Sequence, residues 1–397
     1  MKNILFLGHD QPLEGGRIGN EIAALSEAGH HIEFLAWNRN PSIDSEQTKW
    51  RNTPIHLIHH SAPFTSPKII FHLKFAYRLF LQRADRMEIS FDAIHCTHYI
   101  FLPLSFRLAR KYSAKVVYDA YEIHSLDFSQ YFPFGKRFAE ILFKLIENRF
   151  ATKANLILTV DTAKDAIEQR YRQINLNVEV LNNFPDLSFP SNPEKEKNLK
   201  KIYEERKIIV YIGGIEERKG LLVSLDALQK VRLENPEVKL LLIGSFGKEI
   251  VEAEKQILRL NLQEHVEFIN WLPYDEMFLY LKTAKIGMAL YQPDLHNLAC
   301  GKGGGRKCFD YMKAGLPVIA PEFGEIGASV KDEKCGILVD TTNPEQIART
   351  MTYLLQHPDE AQTMGLKGRK AVEEKYNWNI EKQKLLKAYE RLLSNGS

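Results

Sequence analysis

Short apolar, β-branched runs alternate along this chain with longer segments in which apolar residues recur every three or four positions. The first run covers residues 4–8, and after a polar loop Ile18, Ile22 and Leu25 fall on one helical face. Residues 31–37 supply the next strand, with Gly29 ending the helix between them. Further strands are expected at 94–96, 115–118, 156–160 and 178–181, and helices over 68–88 and 103–111. Then Asn-Asn-Phe-Pro-Asp-Leu-Ser-Phe-Pro-Ser-Asn-Pro and a charge run break all periodicity. A second series follows, with strands at 208–212, 239–243, 266–269, 286–290, 317–320 and 336–339 and helical segments between most of them. After Asn343 the pattern is helical to the end, with a break near Tyr376 and a last helix over about 379–393.

Strands alternating with helices imply parallel sheets covered on both faces. The expected organisation is a Rossmann-like domain over 1–188, a linker over 189–205, a second Rossmann-like domain over 206–376 and a terminal helix over 377–397. A length of 397 residues agrees with two cores. The formal charge of +3 provides no global field for nucleic acid, so a basic surface must be local. Cys96, Cys300, Cys308 and Cys335 show no paired spacing, which argues against a zinc site or a disulfide framework and favours a reducing cytoplasm. The N-terminal apolar run is too short for a signal peptide, and no run of uncharged apolar residues is long enough for a membrane span.

Candidate chemistry gathers at three places. Residues 301–307 place Gly301, Gly303, Gly304 and Gly305 among Lys302, Arg306 and Lys307, a loop able to turn backbone amides and positive charge on a phosphate. A short helix follows, capped by Gly315 and stopped by Pro317, with Asp310 one turn along for a neighbouring sugar hydroxyl. A solvated Arg306–Asp310 pair beside a flexible tip explains the same letters. Gly15 and Gly16 stand before the first helix, where a phosphate or sugar can approach the first amides, although a plain tight turn has the same composition. Past the strand at 115–118, Asp119, Tyr121, Glu122 and His124 fall where ligands collect, and His98 ends the preceding strand. Separately, 68–88 carries Phe71, Phe75, Tyr77 and Phe80 with Lys74, Arg78 and Arg86. That mixture suits either an anionic bilayer surface or a core-packed helix with solvated arginines.

Two similar halves and the run Lys-Cys-Phe-Asp-Tyr-Met-Lys-Ala-Gly-Leu-Pro-Val-Ile-Ala resemble glycosyltransferase family 4, over nearly the whole chain. The resemblance implies the GT-B fold, an α/β architecture of two Rossmann-like parallel-sheet domains facing across a cleft. Asp310 takes the place of the family's glutamate on the donor ribose, Gly15 and Gly16 that of its N-domain glycine loop, and Lys219 that of the lysine on the donor diphosphate. Leu272, after Trp271, lies where family backbones contact the nucleobase, and the last helix is expected to cross back to the first domain. Three positions depart from the pattern: Gly214 replaces an arginine, Lys302 a glutamate and Tyr121 a histidine.

The function so implied is retaining transfer of a hexosyl group from a nucleotide-diphosphate sugar, used as substrate with no further cofactor, to a glycan or lipid-linked acceptor. Cell-surface polysaccharide synthesis at the inner face of the cytoplasmic membrane, with peripheral attachment, would fit such an enzyme. Donor contacts are expected from Gly15, Gly16, Lys219, Leu272, Gly303, Gly304, Arg306 and Asp310, with Arg306 making good the cation absent at Gly214. Catalytic help is expected from His98, Asp119, Tyr121 and Glu122. No Asp-x-Asp occurs, so no obligatory metal is expected. Two other readings stand beside this one: a non-catalytic nucleotide-sugar-binding subunit of a glycan assembly complex, and a sugar-nucleotide epimerase of the same fold.

Overall fold

A computed structural model describes residues 1–11, 13–40, 49–63, 66, 68–122, 129, 132, 135–160, 167–247, 249–294, 297–298 and 305–394. The chain divides into two compact units. Met1–Asp161, Asp165–Asn182 and Glu381–Ser397 form the first, and Thr162–Lys164 with Asn183–Ile380 form the second.

In the first unit the strands are β1 (Asn3–His9), β2 (His31–Asn38), β3 (Lys49–Trp50), β4 (Thr53–His59), β5 (Ala93–Cys96), β6 (Lys115–Ala120), β7 (Leu156–Thr159) and β8 (Val178–Val180). They lie in the order β3-β4-β2-β1-β5-β6-β7-β8, parallel except for the short β3 against β4. The strand order turns about β1 and β5, so their carboxyl ends, His9 and the residues after Cys96, mark the switch point where such sheets take ligands. β3 and β4 are the strands that periodicity does not announce. Pro54 opens β4 and His56 interrupts its apolar residues, yet it pairs with β2 from Ile55 to His59.

The second unit contains β9 (Lys207–Ile215), β10 (Val238–Phe246), β11 (Val266–Asn270), β12 (Ile286–Met288), β13 (Val318–Pro321) and β14 (Gly336–Val339), ordered β11-β10-β9-β12-β13-β14 and all parallel. This is the doubly wound order, with its switch point between β9 and β12. The run read as a linker has structure: Pro193–Ile202 is a helix whose N-cap, Asn192, accepts from the Lys195 amide. The prolines before it are tied to the second unit through Phe184 against Phe309 and Tyr376, Asp186 on Lys313 at 3.2 Å, and the Trp378 amide on the Pro185 carbonyl.

The last helix, Trp378–Ser394, joins the first unit from Glu381 onward. Glu381 accepts the Asn182 amide at 3.0 Å, and the Tyr389 hydroxyl lies 2.6 Å from His95 Nδ1. Among the described residues no helix is long and apolar enough to cross a membrane. Cys96, Cys308 and Cys335 are buried and unbridged.

Gly220 starts the helix Leu221–Glu234 with φ +88°, and a Cβ there would meet Leu290 Cβ and its carbonyl oxygen at 2.5 Å. Left-handed strain and a backbone clash then add, so Gly220→Ala should cost roughly 2–4 kcal/mol. Urea unfolding of the variant checks this as a lowered midpoint at unchanged slope.

Candidate functional site

At the carboxyl end of β9 the chain passes Gly213, at φ +99°, and Gly214, then forms a 3-10 turn over Glu217–Lys219 before Gly220 starts the next helix. Glu216 accepts from Lys219 Nζ at 2.8 Å and from Arg218 Nε at 2.6 Å. Burial would raise the Glu216 carboxyl, but the two cations hold it down at about 2. A side chain on Gly214 would begin 2.6 Å from Glu216 Oε1 and 2.9 Å from Lys219 Nζ, so the ion pair occupies the space an arginine there would need.

The helix Arg306–Ala314 follows Gly305 and is ended by Gly315 in the left-handed region, as the sequence predicts. Its first turn has no acidic residue and no side-chain cap, leaving amides and dipole open to an anion. Asp310, one turn in, accepts from the Tyr274 hydroxyl at 2.8 Å and lies 3.5 Å from Arg306 Nε. Burial pushes the Asp310 carboxyl up, while Arg306 and Tyr274 pull it back. Arg306 also donates to Asn183 at 3.2 Å and covers the Tyr274 ring at 5.2 Å.

Arg306, which the sequence reading expects to make good the cation absent at Gly214, is tied here to Asp310 and Asn183. Lys307 follows it on the helix. Its Nζ lies over Tyr211 at 4.2 Å and Tyr291 at 5.1 Å, within electrostatic reach of Lys219, Glu216 and Arg218. Beside it is a small recess lined in part by Tyr291, Asn297, Gly305, Phe323 and Glu325. Leu272 packs half-buried against the core, and Trp271 is the exposed residue at the end of β11. Gly303 and Gly304, with Gly301, Lys302 and His124, fall outside the described residues.

In the first unit Gly15 has φ +67° and Gly16 is the N-cap of the helix Arg17–Glu27, as a glycine turn requires. The missed residue is Arg17, which turns into the core. It binds Asp119 through Nε at 3.0 Å and Nη2 at 2.7 Å, the Leu181 carbonyl at 2.6 Å and Glu21 at 3.0 Å. His95 lies 3.2 Å from Glu21. Asp119, expected to give catalytic help, is fully buried and doubly bonded; its part is structural, because β6 is covered on both faces. Tyr121 is half-buried with Arg17 5.5 Å above its ring, and Glu122 is exposed. His98, also half-buried, accepts from the Ile100 amide at 3.3 Å and meets the His9 ring at 5.0 Å.

Glu21, His95 and Asp119 bring ligand atoms within 4.8 Å of one another, yet the Arg17 guanidinium already sits among the carboxylates as their cation. Burial raises Glu21 to about 7 and Asp119 to about 6 against the pull of Arg17, and lowers His95 to about 4. A carboxyl raised on folding contributes stability that is complete below its unfolded value and lost as pH rises through the folded one. Asp119 is half titrated at about pH 6, and in the unfolded chain His95 titrates near pH 6.5 with the opposite sign. The Glu21 contribution is therefore read as a difference: between about pH 6 and 8 melting temperatures should fall more in the wild type than in Glu21→Gln.

Two family profiles match: Glycosyltransferase Family 4 over residues 17–189 and Glycosyl transferases group 1 over residues 192–371. Among curated relatives, spore coat protein SA of Bacillus subtilis is 28% identical over 194 residues, 47% of this chain and 49% of that protein. The GDP-mannose-dependent alpha-(1-6)-phosphatidylinositol monomannoside mannosyltransferase of Mycolicibacterium smegmatis is 24% identical over 202 residues, 50% and 52% of the two chains. The chain thus spans about half the length of these relatives. Among solved structures, sucrose-phosphate synthase of Thermosynechococcus elongatus matches with TM-score 0.77 and 16% identity over 100% of both chains. Anabaena HepE in complex with UDP and glucose matches with TM-score 0.73 and 17% identity over 98% and 100%. These two likenesses are of fold. With one profile on each parallel-sheet unit, the chain belongs to the glycosyltransferases of family 4, group 1, and has their GT-B fold.

Proposed function

We propose that the chain is a retaining glycosyltransferase that moves a hexosyl group from a nucleoside-diphosphate donor to a glycan or lipid-linked acceptor in cell-surface polysaccharide synthesis. The observation that carries this reading is the pairing of two devices at the switch point of the second sheet. One is the cation group Lys219, Arg218 and Lys307. The other is the buried carboxylate of Asp310, backed by Tyr274.

Breaking the sugar–phosphate bond builds negative charge on the leaving diphosphate, and preorganised cations lower that barrier most. Lys219 exchanges its bond to Glu216 for the phosphate, and the open amides of Arg306–Ala314 join it. Three cations take the part that a divalent metal plays elsewhere, so none is required. Asp310 holds a ribose hydroxyl while Tyr274 and Arg306 keep it aimed. The C1–phosphate bond breaks as the acceptor oxygen bonds C1 on the same face, and the acceptor's proton passes to the departing phosphate oxygen. No strong protein base is then needed, which suits the tyrosine at 121.

A thermal-shift panel of nucleoside diphosphates and their sugars tests donor binding. Lys219→Ala and Asp310→Ala should each weaken the best ligand by roughly tenfold to hundredfold. Turnover with an acceptor extract should release nucleoside diphosphate. A stabilised protein that releases none is a binding subunit, and conversion of the donor without acceptor marks an epimerase.

Peripheral attachment to an anionic bilayer at the cytoplasmic face has its support in two helices of the first unit. Ile69–Asp85 exposes Ile70, Phe71 and Phe75, Phe71 by 83%. In Lys136–Ala151, Glu147 anchors one face through Tyr118, Tyr171 and Arg170. The opposite face leaves Phe138, Ile141, Leu142, Leu145 and Ile146 exposed, flanked by Arg137 and Lys144. Two such basic faces repel each other and attract anionic lipid. Phe138→Glu with Leu145→Glu should abolish flotation on vesicles containing phosphatidylserine at unchanged melting temperature, and the wild type should not float on phosphatidylcholine alone.

A further inference from the structure

Lys307 occupies an environment that the fold alone does not explain. It is the second residue of the helix Arg306–Ala314, it is 9% exposed, and its Nζ has no hydrogen-bond acceptor among the described residues. Two aromatic faces, Tyr211 from β9 and Tyr291 beyond β12, supply its close contacts. Buried polar groups are ordinarily hydrogen-bonded, and an orphaned one marks an absent partner.

The charges around it do not provide that partner. Glu216 is the acid facing Lys307, and both of its oxygens are already taken by Lys219 and Arg218. On its own helix, Asp310 is bound to Tyr274 and Arg306. The group Glu216, Arg218, Lys219 and a charged Lys307 would carry net positive charge beside an uncapped helix N-terminus. Burial, then repulsion from Lys219, drives the ammonium well below its ordinary value, with Glu216 opposing and Arg218 adding to the repulsion. An anion entering here reverses that balance.

Building on the donor-site reading above, we propose that Lys307 is a ligand of the donor diphosphate and takes up a proton from solvent when that diphosphate binds. The uptake is a single transfer: a water or buffer acid loses the proton and the Lys307 amine gains it, leaving an ammonium against the phosphate oxygens. The empty site avoids a buried, unpaired charge, and the loaded site presents a full cation when the sugar–phosphate bond begins to break. This also explains how the chain manages with glycine at 214. The second diphosphate cation arrives from the helix Arg306–Ala314, since the Lys219–Glu216 pair lies against Gly214.

Proton uptake is read directly by titration calorimetry of UDP and GDP near pH 8 in buffers of different ionisation enthalpy. The wild type should show net uptake and an affinity that weakens as pH rises. Lys307→Met should lose the uptake and bind roughly tenfold to hundredfold more weakly. Lys307→Arg, charged at every working pH, should still bind while showing no uptake, and it carries the test if the methionine variant does not fold. Uptake that persists in either variant, or unchanged affinity in Lys307→Met, overturns the inference. If neither nucleotide binds the wild type, the donor-site reading falls and this inference with it. Binding that depends on Lys219 and Asp310 but is indifferent to Lys307 removes the inference alone.

Discussion

Glu216 holds Lys219 and Arg218 at the end of β9, and the chemistry of the second unit follows from that one carboxylate being saturated. A single acid carries both cations of the turn. It has nothing left to offer Lys307, whose helix brings a third cation to the same place. The pair also lies outside Gly214, so a longer side chain there would have to displace the ends of Glu216 and Lys219. Glycines at 213 and 220, both in the left-handed region, allow the backbone to turn tightly enough to stack these charges beside a sheet end.

The first unit solves the opposite problem. Arg17, Glu21, Asp119 and His95 are as deeply buried, but there the cation is matched within the fold and a backbone carbonyl takes its remaining donor. Tyr389 closes the network from the last helix, through His95. A matched buried network of this kind gives one arrangement of its elements instead of a binding site. The contrast lies in the cations: the Arg17 guanidinium has its acceptors inside the fold, whereas Lys307 Nζ has none among the described residues.

The same reasoning applies to apolar surface. Lys136–Ala151 is amphipathic twice over, with Ala139, Glu147 and Ala151 turned in and a stripe from Phe138 to Ile146 turned out. Aliphatic and aromatic side chains left in water on a helix whose other face is firmly anchored are a standing cost that a lipid surface removes.

Much of this was legible in the letters. Apolar periodicity is a local property, so the strands of both sheets, the helix ended by Gly315 and Pro317, and the two-unit organisation could be read before any coordinates. Asp310 stood out because the run around it has a sharp pattern. β4 was hidden because proline and histidine break its period, and only pairing with β2 makes it a strand. The partners of charges were hidden as well. Arg17 and Asp119 are 102 residues apart, and nothing local distinguishes an aspartate in a crevice from one sealed in a core. Lys307 read as one more basic residue of a glycine loop until Tyr211, Tyr291 and the Glu216 turn were found around it. Residue order settled where the chain is strand and where it is helix, because those depend on neighbours a few positions away. Which charges meet, and which are left without an acceptor, was decided by the sheets alone, since they bring distant strand ends to one place.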